Sequence, residues 1–127
     1  MPIEFPETEF RARCLNVVDG DTVDLYVDIG FHVTFTGRFR ILGVNTPEMN
    51  SKVPEERLIA AIAKKATSDW LKPDLNNKEW TLLVKTKKDP DNFGRWLASV
   101  SFFDASGTKM DLATQLLVGE LAVPYKK

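Results

Sequence analysis

Three short stretches of the chain combine residue types that could do chemistry: "DGDT" at 19–22, "NTPE" at 45–48 and "NFGR" at 92–95. Each alone reads as a turn, since Asp-Gly is a strong hairpin signal and Pro and Gly punctuate the other two. Together they gather the carboxylates of Asp21 and Glu48, the amide oxygen of Asn45 and a backbone carbonyl in the same loop. These are hard oxygen donors, suited to Ca²⁺ or Mg²⁺ and poor for zinc. Arg40 lies on the strand leading into the second stretch and Arg95 closes the third. Two guanidinium groups beside a hard-cation site suit a phosphate, which arginine binds bidentately without losing its charge. Such a set fits phosphodiester cleavage, which needs charge stabilisation at phosphorus, an in-line nucleophile and a base. Asp21 would ligate the metal and Glu48 would orient or deprotonate the attacking water. Arg40 and Arg95 would clamp the nonbridging oxygens.

These residues can act together only if the elements bring them to one place. A first strand is expected over 9–16. In "DTVDLYVDI", Val23, Leu25, Val27 and Ile29 alternate with Asp24, Tyr26 and Asp28, the period of a half-buried strand. Gly30 supplies a turn, and "HVTFTGRFRIL" returns with Val33, Phe35, Phe39 and Ile41 on one face. Gly37 interrupts that face and predicts a bulge or a tight coil of the strand. In such a meander the start of the second strand and the end of the third are neighbours, so Asp21 faces the 45–48 loop. Arg38 shares a face with Arg40, and alternation does not choose between them.

Pro54 with Glu55 and Glu56 opens a helix ended by Pro73, with Leu58, Ile62, Ala66 and Trp70 every fourth residue beside Ile59 and Ala63. "KEWTLLVKT" and "RWLASVSFF" read as fourth and fifth strands, with Trp80 and Trp96 expected in the core and a stacking role for one of them as the alternative. "MDLATQLLVG" reads as a short second helix, with Asp111 as N-cap and Gly119 near its end. The order βββ-α-ββ-α predicts a mainly β, α+β fold. It is a five-stranded OB-type barrel with one helix between strands three and four and a C-terminal helix.

With 127 residues, the chain has the length of one domain, 1–127. Its 43% hydrophobic and 28% charged residues match an ordinary globular protein. No apolar run reaches the length of a membrane span. "MPIEFPETEF" has neither the basic nor the apolar region of a signal peptide, so the expectation is a cytoplasmic protein without a membrane partner. The lone Cys14 excludes an internal disulfide and a multi-cysteine zinc site, and reads as a buried thiol. His32 is the only histidine and reads as strand surface. A net charge of −1 and a pI near 5.8 argue against a broadly basic nucleic-acid footprint, but not against one phosphate held by two arginines.

"VVDGDTVDL", "RFRILGVNTPE" and "NFGRWLASV" resemble the three signature stretches of the staphylococcal (thermonuclease) nuclease family, in order and at similar spacing. The resemblance covers residues 9 to 123. It implies an OB-barrel endonuclease, dependent on one Ca²⁺, that cuts DNA and RNA to leave 3′-phosphate and 5′-hydroxyl ends. A monomer is expected. By motif, Asp21 matches a calcium-binding aspartate and Thr46 the residue whose backbone carbonyl ligates calcium. Arg40, Glu48 and Arg95 match the catalytic residues, so the motif prefers Arg40 to Arg38. Tyr125 stands near a nucleotide-stacking tyrosine of the family. Asn45 departs from the pattern, standing where the family has a calcium-ligating aspartate, and implies weaker calcium binding. The alternative is a nuclease-like domain of weak or no activity that binds nucleic acid or a protein. A binding module has no evident need for Asp21, Arg40, Glu48 and Arg95 together.

Overall fold

A computed structural model describes residues 1–76, 78–88 and 95–125. The elements run β1 (Phe10–Asp19), β2 (Thr22–Gly30), β3 (Val33–Ile41), β4 (Val44–Asn45), α1 (Pro54–Leu71), β5 (Leu82–Lys88), β6 (Trp96–Phe103), β7 (Lys109–Asp111), α2 (Leu112–Val118) and β8 (Val123–Pro124). Of these, β1, β2, β3, β5 and β6 are the five barrel strands, and α1 lies between the third and fourth of them. The sheet order is β3-β2-β1-β5-β6-β7, and a parallel β3–β6 pairing closes it into a barrel. This is the expected α+β architecture, an OB-fold-like barrel with an inserted helix and a C-terminal helix. Closure also removes the exposed edges that an open five-stranded sheet would carry.

Alternation explains the strands. Val23, Leu25 and Val27 of β2 are buried, while Asp24, Tyr26 and Asp28 point outward. Phe39 and Ile41 of β3 join them, with Val84, Val100 and Leu112 from later elements. The outer half of the β2–β3 hairpin leaves the core: Ile29, Val33 and Phe35 are exposed, and the turn carries Gly30, Phe31 and His32 at positive φ. Gly37 forms no bulge. It pairs directly with Leu25 in an unbroken stretch, and the ring of Phe35 lies over it, where a Cβ would come within 2.6 Å of Cε1.

The buried face of α1 is not the one its leucine and isoleucine spacing suggests. Ala60, Ala63, Thr67 and Leu71 are buried, whereas Leu58 and Ile62 are 63% and 48% exposed. The reason is closeness. The β1–β2 turn comes so near the helix that a Cβ on Gly20 would sit 2.8 Å from the Cβ of Ala63, and only small side chains fit there. Trp70 does reach the core edge, stacked on Phe102 at 5.5 Å.

Thr67 serves the contact as well, donating its hydroxyl to the Gly20 carbonyl at 2.9 Å in a buried position. Thr67→Val keeps the shape but leaves that carbonyl unpaired, and is expected to cost about 1–3 kcal/mol in urea unfolding. An unchanged midpoint would show that the turn does not depend on the helix. Cys14 is buried, as expected, and burial pushes its thiol up to about 12, which makes it inert. At the C-terminal end Asp111 caps α2 by accepting from the Thr114 N–H at 3.0 Å, and Gly119 ends it.

Candidate functional site

The hairpin between β1 and β2 places Asp21. Asp19 pairs with Thr22 across a two-residue turn, and the main-chain carbonyl of Asp21 accepts the Ile41 N–H at 2.8 Å. That bond ties the turn to the end of β3, where Thr22 lies opposite Arg40. After Ile41 the chain reverses through Gly43 at φ +88, a left-handed position that suits glycine. The Leu42 N–H anchors the reversal on the Ala98 carbonyl at 2.9 Å. Asn45 and Thr46 are thereby brought back over the hairpin.

The side chains meet there. One carboxylate oxygen of Asp21 accepts the Thr46 N–H at 3.1 Å and the other accepts the Thr22 hydroxyl at 3.1 Å. Arg40 donates from Nη2 to Asn45 Oδ1 at 2.8 Å, and the same nitrogen lies 3.6 Å from Asp21 Oδ2. The Arg40 and Asp21 side chains are only 11% and 10% exposed, so this charge pair is held in a fixed, largely dry setting. The ring of Tyr125 covers the guanidinium, 4.6 Å from Cζ. Tyr125 is held by its N–H to the Gly43 carbonyl at 2.9 Å, next to the β4–β8 ladder that pairs Asn45 with Val123.

Glu48 stands apart from this knot. It is exposed and lines a cleft of about 390 Å³ with Asn45, Thr46, Pro47 and Glu56 on one side and residues 120–123 on the other. Its carboxylate is therefore open to solvent water and to whatever enters the cleft. Arg95 is half-buried directly before β6. The β3–β6 register pairs Arg40 with Leu97, so alternation puts Arg95 on Arg40's side of the sheet. Asn92, Phe93 and Gly94, the rest of that stretch, lie outside the described residues.

Arg38 is occupied elsewhere. Its guanidinium donates to both carboxylate oxygens of Asp24 at 2.8 and 3.3 Å, and this hydrogen bonding holds the Asp24 carboxyl below its usual range. It is a surface ion pair, engaged away from the Asp21–Asn45 cluster.

Two features escape a reading of the sequence. One is the Thr67–Gly20 clamp, whose only signal is a polar β-branched residue in the middle of a helix. The other is the cover that Tyr125 places on Arg40, which depends on a two-residue strand too short to show a period.

Asp21, Asn45 Oδ1 and the Thr46 carbonyl are the groups that could hold a hard cation. Their donor type fits Ca²⁺, and the amide oxygen has a second lone pair beside the one that accepts from Arg40. Their charge is low, with one carboxylate among the three. Among the described residues no three His, Cys, Asp or Glu side chains group closely enough to hold a metal by themselves. No described helix is long and apolar enough to cross a membrane. The chain matches no protein-family model and is significantly similar to no curated protein. The structure gives an OB-fold-like barrel, an architecture consistent with nucleic-acid binding, with an arginine–carboxylate–amide cluster on one rim.

Proposed function

We propose that the chain is a nuclease of the staphylococcal type, hydrolysing phosphodiester bonds of DNA or RNA with one Ca²⁺. The observation that carries this reading is the union of Asp21, Arg40, Asn45 and Thr46 through two hydrogen bonds and an ion pair, Asp21 and Arg40 coming from separate motifs 19 positions apart. Asp21, Asn45 and the Thr46 carbonyl would hold the ion, which supplies Lewis-acid stabilisation of charge on the phosphoryl oxygens. Arg40 and Arg95 bind the nonbridging oxygens of the scissile phosphate. Glu48 accepts a proton from the attacking water. The water oxygen forms the new P–O bond as the bond to the 5′ oxygen breaks; the 5′ oxygen takes a proton from solvent water and leaves as a 5′-hydroxyl, Glu48 returns its proton to solvent, and the 3′ side keeps the phosphate.

End-group analysis tests the proposal. An oligonucleotide cut in millimolar Ca²⁺ at low salt should yield 3′-phosphate and 5′-hydroxyl ends. The opposite polarity would remove the chain from this mechanism. Absence of cutting by the folded protein would favour the second reading, a nucleic-acid-binding barrel without activity. The specific feature behind that reading is Asn45, which leaves the ion site one charge short.

That deficit has its own consequence. Asn45→Asp adds a carboxylate at the site, and calcium affinity follows ligand charge. We expect the Ca²⁺ concentration for half-maximal activity to fall by about tenfold. An unchanged calcium requirement would mean that residue 45 is no ligand.

A further inference from the structure

Trp80 does not belong to the core, contrary to its sequence-based expectation. It precedes β5 and lies on the outer face of the barrel, where its ring stacks on Tyr26 at 5.8 Å and 10°. Arg13 completes the group, its guanidinium carbon 4.5 Å from the Tyr26 ring centre and 5.4 Å from that of Trp80. Arg11 approaches Trp80 at 5.3 Å. The Arg13 Nε is buried without a hydrogen-bond partner, so this side chain is held by the aromatic faces and not by a polar anchor.

The neighbouring charges make this group distinct. Arg11 is neutralised by Asp28 at 2.6 Å, and Arg38 by Asp24 at 2.8 Å. Among the described residues no carboxylate pairs with Arg13. The cross-strand rows set its position: Arg40 faces Thr22, Arg38 faces Asp24, and Thr36 faces Tyr26, which faces Arg13. Four residues of strand separate the Arg40 row from the Tyr26 row, about 13 Å along one continuous outer face. A row of cancelled charges lies between them. Tyr26 and Trp80 are both partly exposed.

We propose that Tyr26, Trp80 and Arg13 form a base-stacking subsite for single-stranded nucleic acid, engaging bases a short stretch of extended strand away from the phosphate held at Arg40. Aromatic faces take any base, and the unneutralised guanidinium favours the polyanion. The subsite also answers the acidic pI, because grip on the strand comes from stacking more than from net charge. It rests on the nucleic-acid reading of the Arg40 rim, but not on that rim being catalytic.

The test measures anisotropy of a fluorescein-labelled oligothymidylate octamer and of the matching dinucleotide, with Glu48→Gln as the parent so that neither probe is cut. Adding Tyr26→Thr or Trp80→Leu to that parent should weaken octamer binding about tenfold and leave the dinucleotide unchanged. Trp80→Phe, which keeps an aromatic face, should restore most of the loss. At saturating octamer, quenching of tryptophan fluorescence should be smaller in Trp80→Leu than in Tyr26→Thr, because the indole on which a base stacks is the one removed. Arg40→Lys should weaken both probes. Equal binding by parent and platform variants, or equal losses on octamer and dinucleotide, would overturn the subsite and leave the nuclease reading standing. Platform-dependent octamer binding by a wild-type protein that never cuts would uphold the subsite and end the nuclease reading. Failure of the parent to bind either probe would end the subsite.

Discussion

Arg40→Lys should slow phosphodiester cleavage by about 10²–10³-fold, the usual cost of removing one preorganised donor from a developing anion. The substitution preserves charge, so the loss isolates geometry. Arg40 meets Asn45 Oδ1 at 2.8 Å, Asp21 Oδ2 at 3.6 Å and the face of Tyr125 at 4.6 Å, contacts that fix the plane of the guanidinium. A lysine ammonium keeps a point charge near Asp21 but offers neither a planar fork to a phosphate nor a flat surface to the tyrosine ring. The check is a single-turnover rate on a labelled strand beside a thermal melt. A rate within threefold of wild type, with the fold intact, would remove Arg40 from the machinery.

Glu48→Gln should have the larger effect on rate, a loss of about 10²–10⁴-fold, because a positioned general base contributes on that scale. Its effect on stability should be close to nothing. Glu48 is exposed at the edge of an open cleft, and exchanging an exposed carboxylate for its amide usually changes stability little. Binding of an oligonucleotide should be kept or improved, since one negative charge leaves the site. This combination separates Glu48 from Asp21, whose carboxylate holds the Thr46 N–H and the Thr22 hydroxyl and whose loss would disturb the rim itself.

The strands and the meeting of the rim residues were legible because both depend on short-range rules. Period-two alternation fixes β2, and a meander must bring the start of β2 beside the end of β3. What failed depended on distances between elements. The leucine and isoleucine spacing of α1 points to a face that turns outward, because the contact with the β1–β2 turn admits only Ala63 and Thr67 beside Gly20. Trp80 reads as a core residue by hydrophobicity, yet the β5 ladder begins only at Leu82 and leaves the indole free to fold over Tyr26 and Arg13. Gly37 reads as a bulge or a tight coil of the strand; no bulge forms, because the strand keeps its register there and the ring of Phe35 fills the space the glycine leaves. The resemblance sets Tyr125 only near a nucleotide-stacking tyrosine of the family, and its seat on Arg40 comes from the pairing of Gly43 and Asn45 with Tyr125 and Val123. No local pattern records these contacts.

The most direct measurement is cleavage of one end-labelled single-stranded DNA at low salt by wild type and Glu48→Gln, each with millimolar Ca²⁺ and with chelator. We expect cutting only by wild type and only with Ca²⁺, while both proteins melt at the same temperature. Equal cutting by the two proteins, or cutting that survives the chelator, would contradict a calcium-dependent site in which Glu48 is the base.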